Sequence, residues 1–529
     1  MIEETLKGLT VRRAAGGAGI SLALLLVIWE LLISYRVRKL GASAPQLKSW
    51  LPFGLDFIYK AMKKSTKAED LVFWQNIIAS RRLPNGQPTA TVELRLRSFA
   101  RSIFTVDPEN IKAVLTGQFA DYGKGERFHQ EFREFLGDSI FATDGELWSR
   151  SRHLIRPMFA RDRLIHTEMF EEHVDKLLRL LSPEANANRA GVVDVSPLFF
   201  RLTLDAATDH LLGQAVNSLD DPKTVFAESF QFVLHKQSMY FRAGPVSPLL
   251  SRTEYRKHLR IMDEFIQPFI DAVLRMTPDQ LDRHLAKKDT FLHALARFTR
   301  DPKVIRDQLV AILLAGRDTT AATLSFCLFE LARHPHVVAK LRDEIAAKVG
   351  HSRPPSYADL KDMKYLTAVL NETMRLYPVV PFNVRHSLVD TTLPRGGGPD
   401  GSLPIGVPRD TRILYSTMAM QRRPELYDPP PSSSRGDAPY YDPRLFCPDR
   451  WVSGWQPKPW QFIPFNGGPR ICLGQQFAMI EMGYTVTRIF QTFKEVRGVG
   501  HPPPGTDPKF KFDITLSPGQ ELNMEFVRA

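Results

Sequence analysis

A chain of 529 residues with a formal net charge of +12 would be split into three or so domains by the usual length of about 150 residues each, yet no strong linker divides it after residue 60, so one large core is the simpler reading. Three cysteines, Cys327, Cys447 and Cys472, cannot form a disulfide framework at this length, which excludes a disulfide-stapled scaffold and points to a reducing compartment. The basic balance, with a pI near 9.5, suits an acidic partner or an anionic membrane surface; nucleic acid is set aside because the basic residues are spread along the chain and form no reading motif.

Residues 14–35 form the one long apolar run, with Ile20 to Trp29 almost wholly hydrophobic, and are about long enough to cross a bilayer. A cleaved signal peptide is the rival, since Ala42-Ser43-Ala44 has the small residues of a cleavage site. Arg36, Arg38 and Lys39 lie between the run and that site and resist translocation. Positive charge is heavier after the run than before it, which predicts a short lumenal tail (1–13), a single transmembrane anchor (14–35), a linker (36–60) and a cytosolic body (61–529). Glu30 fits this poorly, because a carboxylate at that depth is costly. Pro45 and Pro52 stiffen the connector, and Leu51-Pro52-Phe53-Gly54 reads as a turn.

From Thr89 to Val106 the alternation Thr-Val-Glu-Leu-Arg-Leu-Arg predicts a small sheet, and most of the chain beyond residue 106 reads as helix. Trp148 and Arg152 are four apart on a helical pattern, an indole N–H and a guanidinium suited to a carboxylate, although such a pair is more often surface stacking. A long helix opens at Asp301-Pro302, an N-cap followed by proline, and closes before Pro335; roughly 32 residues would span about 48 Å. Ala311, Ala315 and Thr319 recur on one of its faces at four-residue spacing, and Gly316 with the Thr319 hydroxyl is a recipe for a bulge or kink. A helix-packing groove is the plainer reading of the same residues. Glu372 and Arg375, three apart on a helix over 365–376, can pair, as many exposed residues do to little effect. Val379 to Arg385 continues through Pro378 and Pro381 as an extended stretch. Two loops carry no chemistry: 393–408, a glycine-rich hairpin, and 428–441, a proline and serine cluster.

The stretch Pro464-Phe465-Asn466-Gly467-Gly468-Pro469-Arg470-Ile471-Cys472-Leu473-Gly474 places a cysteine among an aromatic, glycines, a proline and a guanidinium, with a helical pattern from Gln475. Glycines let the backbone pass close to a flat ligand and turn N–H groups toward sulfur, and the helix N-terminus beyond them favours S⁻ over SH. This reads as a metal-ligating thiolate in a rigid loop, with a buried structural cysteine in a Gly/Pro turn, the usual explanation of a lone cysteine, as the alternative. Phe465 can cover the sulfur, and Arg470 can reach an anionic group on the same ligand.

The pattern Phe-x-x-Gly-x-Arg-x-Cys-x-Gly, met at Phe465, Gly468, Arg470, Cys472 and Gly474, resembles the haem-thiolate loop of the cytochrome P-450 superfamily. The resemblance implies a mainly α fold with small β-sheets, one large haem domain behind the anchor, and haem b iron held by Cys472, whose thiolate favours O–O cleavage. It implies that Trp148 and Arg152, with Arg385, hold haem propionates, and that Phe465 and Arg470 belong to the cofactor site. Asp318 and Thr319 would relay protons for O–O cleavage. Glu372, Arg375 and Arg450 would form a structural triad that holds the cysteine-loop region in register. The substrate pocket would be lined by Ala311, Ala315, Val379, Val380, Phe382 and Leu516.

Within the superfamily, Leu314 to Ala321, Phe465 to Gln476, the glycine-rich hairpin and Phe119 to Phe141 resemble the fungal microsomal n-alkane and fatty-acid hydroxylating branch. That implies a monooxygenase of the endoplasmic reticulum membrane taking O₂, with NADPH electrons delivered by a reductase flavoprotein and cytochrome b5 as a further donor. Its substrate would be a lipophilic molecule hydroxylated at or near a chain end; another lipophile, aromatic or secondary metabolite, is the alternative, and a haem sensor or carrier without chemistry the more distant one. Arg150, Arg156 and Lys458 are candidates for a basic surface facing the electron donor. Ala315 stands where the animal ω-hydroxylases carry a glutamate that can esterify haem, so the resemblance implies haem held without that bond.

Overall fold

No proline interrupts the N-terminal apolar sequence before Pro45, and it forms one helix, α1 (Ile2–Leu40), in the computed structural model, which describes residues 2–51, 54–95, 101–159, 167–285, 290–427 and 442–529. The helix runs past both ends of the expected 14–35 anchor, and its apolar window is Gly19–Leu40. Leu24, Leu25, Leu31 and Leu32 are all exposed along it, while its C-terminal end packs on the strand at 403–407 and buries Val37. The expected boundary at residue 60 falls inside a second helix, α2 (Leu55–Ser65). The turn at 51–54 lies partly, and the cluster at 428–441 wholly, outside the described residues.

The described chain is mainly α-helical with small sheets and packs as two units, Met1–Gly125 with Phe382–Ser416, and Glu126–Pro381 with Thr417–Ala529. The first holds α1, α2, α3 (Asp70–Ala79) and a six-stranded sheet. Its strands are β1 (Gln46–Lys48), β2 (Thr91–Arg95), β3 (Arg101–Thr105), β4 (Tyr122–Gly123), β5 (Phe382–Ser387) and β8 (Arg412–Ser416), with the hairpin β6 (Thr391–Gly397) and β7 (Leu403–Val407) lying between the last two in sequence. The sheet order is β1-β2-β3-β8-β5-β4, and the alternating stretch at 89–106 supplies one of its antiparallel pairs, β2 on β3. Glu93 is fully buried there between Arg95 and Arg101, at 2.6 and 2.8 Å, which is how a carboxylate survives inside a sheet. The glycine-rich hairpin forms as its turn residues predict.

The second unit is mainly helical, with a three-stranded and a two-stranded sheet. Its elements around the site are α4 (Gly145–Ile155), α5 (Val195–Leu212), α6 (Val225–Ala243), α7 (Thr253–Arg275), α8 (Pro302–Leu331), α9 (Lys364–Leu376) and α10 (Gln475–Thr492). Helix α8 begins as its sequence dictates: the Asp301 carboxylate accepts the N–H groups of Lys303 and Val304, and Pro302 fills the first helical position. It is apolar and long enough to cross a membrane, but 83% of its apolar window is buried, so it is a core helix. A Cβ placed on Gly316 would stand 3.9 Å from Ala207 of α5, an ordinary contact, so packing does not demand a glycine here. The bulge expected at Gly316 and Thr319 is not formed. Thr319 Oγ1 does donate to the Ala315 carbonyl at 2.6 Å, but α-helix continues without interruption, because that carbonyl has a second lone pair to offer. Two short antiparallel strands, β9 (Phe510–Phe512) and β10 (Leu516–Pro518), close the chain's C-terminal part against α8.

Candidate active site

The cysteine loop is built from two left-handed backbone positions and one close approach. Asn466 and Gly468 take φ of 64° and 67°, and a Cβ on Gly467 would lie 2.5 Å from the Trp460 ring, so only glycine fits at 467. The Cys472 N–H donates to the Phe465 carbonyl at 3.0 Å and closes the turn, while Phe465 itself is half-buried. Gly474 caps α10, and its N–H is directed at the Cys472 sulfur, as the loop chemistry predicts. The thiolate is nevertheless not favoured in the protein alone. Burial pushes the Cys472 thiol up, and the Gly474 N–H and Arg152 offset only part of it. A cation at the sulfur is what would tip this group to S⁻.

Cys472 opens directly onto a cavity of about 760 Å³. Trp148, Arg152, Arg156, Pro157 and Phe159 wall one side, and Pro469, Ile471 and Leu473 the other. Helix α4 thus brings the predicted Trp148 and Arg152 to the same cavity as the sulfur, across more than 300 residues of sequence. Arg152 Nη1 donates to the Ile471 carbonyl at 3.1 Å, and burial, with Arg156 second, pulls Arg152 below its ordinary value. Two guanidinium carbons flank the Trp148 ring, Arg470 at 4.5 Å and Arg152 at 5.9 Å. This cationic rim, with one sulfur among the lining residues, fits a flat, dianionic macrocycle with a thiolate-binding metal at its centre.

Arg470 is engaged within the protein: it donates to Asp144 Oδ1 at 2.6 Å and to the Thr143 carbonyl at 2.9 Å. An anionic group reaching Arg470 would share it with Asp144, a partner that nothing in the sequence singled out. Arg385 belongs to the other unit, on β5, where it is buried and donates to the Val384 carbonyl at 2.8 Å.

The Glu372, Arg375 and Arg450 side chains meet in the core. Arg375 grips Glu372 through Nε and Nη2, both at 2.8 Å, and Arg450 Nε donates to the same carboxylate at 3.0 Å. The Cys447 N–H and the Trp451 indole add donors at 2.9 Å each. All three charged side chains are almost wholly buried, so the pair is not the weak exposed one that its spacing alone suggests. Burial would raise Glu372, but Arg375 and Arg450 hold it below the usual carboxylate range. Arg375 also donates to the carbonyls of Gln421, Pro443 and Leu445, which ties α9 to the chain leading toward the cysteine loop.

On α8, Asp318 is buried and paired with its neighbour Arg317, Nη1 to Oδ1 at 3.0 Å. Burial pushes the Asp318 carboxyl up, and Arg317 offsets only part of that. Ala311 is fully buried and Ala315 half-buried on the same helix. Leu516 of β10 is fully buried, and its N–H donates to the Val379 carbonyl at 2.8 Å, joining two of the expected pocket residues; Val380 is more exposed. The stretch from Val379 to Pro381 is not a strand, and regular extended structure starts at Phe382. Phe382 lies in the first unit, its ring 5.8 Å from Trp74 and 6.5 Å from Phe104.

A mainly helical unit with a single cysteine loop over a cation-rimmed cavity, facing no competing cluster of metal-ligating side chains among the described residues, defines a thiolate-ligated cofactor protein. The comparisons give it its family. The family model for cytochrome P450 matches residues 90–519. The chain is 45% identical to cytochrome P450 monooxygenase pvhE of Talaromyces variabilis over 96% of this chain and 94% of that protein. It is 38% identical to cytochrome P450 52A12 of Debaryomyces hansenii (90% and 91%) and 39% identical to cytochrome P450 52A1 of Candida tropicalis (80% and 78%). The chain belongs to the cytochrome P450 family and is a monooxygenase, an oxidoreductase whose family works with haem, O₂ and electrons from a redox partner.

Proposed function

We propose that this monooxygenase binds haem b through Cys472 and hydroxylates C–H bonds at or near the end of an n-alkane or fatty acid. The observation that carries the haem assignment is Cys472 opening onto the cavity walled by Trp148 and Arg152. When bound there, haem supplies the activation of O₂. The protein's own residues do the rest. Trp148 and Arg152 would pair with a propionate, and Arg470 would share its guanidinium between such a group and Asp144. Asp318 takes protons from solvent and passes them toward Thr319, whose hydroxyl is held by the Ala315 carbonyl and whose lone pairs stay available. The Glu372, Arg375 and Arg450 triad fixes the approach to the cysteine loop, with no part in the chemistry.

The substrate class rests on the motif resemblance to the fungal n-alkane and fatty-acid branch, and on α1, whose apolar window suits an anchor that keeps the enzyme where lipids partition. The basic residues after the apolar run 14–35, Arg36, Arg38 and Lys39 first among them, support a cytosolic body on the endoplasmic reticulum, fed by NADPH through a reductase flavoprotein, with cytochrome b5 as a further donor. Arg156 is exposed at the edge of the cysteine-side cavity, and Lys458 is exposed in the same unit, as a docking face for an acidic donor requires; Arg150 is already paired with Glu146.

Two measurements test this. Cys472→Ala should abolish the red-shifted Soret band of the reduced carbon-monoxide complex, and survival of that band would name another sulfur. Product analysis with reductase and a panel of dodecane, lauric acid and aromatics should give terminal or near-terminal alcohols of the aliphatic members; oxidation of aromatics alone would overturn the substrate class.

A further inference from the structure

The glycine-rich hairpin of β6 and β7, to which the sequence assigns no chemistry, is where α1 ends. Val37, in the last turn of α1, is fully buried, and a Cβ on Gly406 of β7 would stand 2.4 Å from its carbonyl oxygen. A Cβ on Gly41 would lie 2.7 Å from the Pro404 carbonyl oxygen. Neither glycine has a left-handed φ, so the close approach of the two backbones is what requires them. Main-chain bonds seal the contact: the Ala42 N–H donates to the Pro404 carbonyl and the Gly406 N–H to the Ala42 carbonyl, both at 2.9 Å. Side chains bolt the same joint. Arg101, buried in the sheet, donates at 2.8 Å to both Glu93 and the Gly406 carbonyl, and Arg95 joins Glu93 at 2.6 Å to the Ser34 hydroxyl of α1 at 3.0 Å. Arg36 also pairs with Asp390 at 2.6 Å, but both are exposed and add little.

From this geometry we propose that residues 34–44 are a rigid joint in place of the expected linker, with the hairpin as its socket. The helix α1 and the six-stranded sheet then move as one body, and a bilayer holding α1 fixes the angle at which the sheet unit lies on the membrane. The membrane role rests on the reading of α1 as an anchor; the joint itself does not. A swivel needs a stretch whose backbone groups are free to trade protein for water, and five residues separate α1 from β1. Four of the five are tied. The Gly41 N–H donates to the Val37 carbonyl at 2.8 Å, Ala42 makes the two bonds to the hairpin, and the Pro45 carbonyl accepts the Glu93 N–H at 2.9 Å. Ala44 is buried in a cluster with Ile103, Ile405 and Val407. Turning α1 against the sheet would break these bonds and expose Val37. Cleavage after Ala44, the rival use of Ala42-Ser43-Ala44, would remove one side of the joint and leave the Pro404 carbonyl and the Gly406 N–H without the partners that now satisfy them.

The test uses the full-length enzyme in lipid nanodiscs, with nitroxide labels carried on ketone-bearing residues introduced at two exposed positions, Ala23 of α1 and Arg395 of the hairpin, so that Cys472 stays untouched. Pulsed electron paramagnetic resonance should give one narrow distance distribution between the labels, and lipids with gadolinium headgroups should relax the Arg395 label at a single rate. Inserting Gly-Ser-Gly between Leu40 and Gly41 should at least about double the width of the distance distribution, as a flexible connection does, and spread the relaxation rates, with the carbon-monoxide Soret band unchanged. Gly406→Val should act in the same direction, because its side chain meets the Val37 carbonyl. Should Gly406→Val lose the Soret band, the insertion carries the test. A broad distribution in the unmodified enzyme, or a narrow one that survives the insertion, would overturn the joint and leave the anchor reading standing. Release of the enzyme from membranes by a carbonate wash, with the distribution still narrow in detergent, would overturn the membrane role and keep the joint.

Discussion

Two buried carboxylate–guanidinium sites in the helical unit use the same chemistry and reach opposite ends. Glu372 receives five donors, from Arg375, Arg450, Trp451 and the Cys447 backbone, and is held below the usual carboxylate range despite complete burial. Asp318 is comparably enclosed but pairs with one guanidinium, and burial wins, so its carboxyl is pushed up. The number of donors aimed at the oxygens decides which way a buried acid leans. Glu372 is thereby a fixed anion suited to scaffolding, and Asp318 an acid whose neutral form burial favours. A third acid, Glu481 on α10, extends the series: with only the Thr320 hydroxyl nearby and no cation, burial pushes it up to about 8.

This ordering can be broken by experiment. Glu372→Ala leaves two guanidiniums buried without their anion and should cost about 3–5 kcal/mol in chemical denaturation; a loss under about 1 kcal/mol would mean that the triad holds nothing. Trp451→Phe keeps a ring but removes one of the five donors to a charged acceptor. It should cost about 1.5–3 kcal/mol in the same measurement, with haem incorporation retained. For Glu481 the sign comes from linkage. The unfolded chain releases this proton near 4.5 and the folded chain keeps it to about 8. Stability from this group is therefore fully present below 4.5, declines as pH rises between those values by up to about 1.4 kcal/mol per pH unit, and is gone above 8. Glu481→Gln should flatten that decline in thermal denaturation measured from pH 5 to 9, and an unchanged pH profile would remove Glu481 from the series.

Much of the site was legible in local sequence. The loop from Phe465 to Gly474 carries its own turn chemistry, Asp301-Pro302 announces the start of α8, and the i to i+4 spacing of Trp148 and Arg152 places both on one face of α4. What local sequence misjudged has a common cause. The Glu372–Arg375 spacing reads as an exposed pair, and only Gln421, Pro443, Leu445, Cys447 and Trp451, brought in from about 50 to 80 residues away, bury and saturate it. Gly316 and Thr319 read as a bulge, yet the Ala315 carbonyl accepts the Thr319 hydroxyl and α-helix continues through both residues. Asp144 was missed as the partner of Arg470 because nothing in a lone aspartate reveals a guanidinium 326 residues away.

Short patterns in the chain were enough for the family and for bringing Cys472, Trp148 and Arg152 to one cavity, while the roles of Asp318 and Thr319 rest on the family resemblance and not on their spacing. The charge states come from tertiary packing alone. It is burial that raises Cys472, Asp318 and Glu481, and the convergence of distant donors that lowers Glu372. Desolvation and donor count are properties of the packed core, and no stretch of sequence contains them.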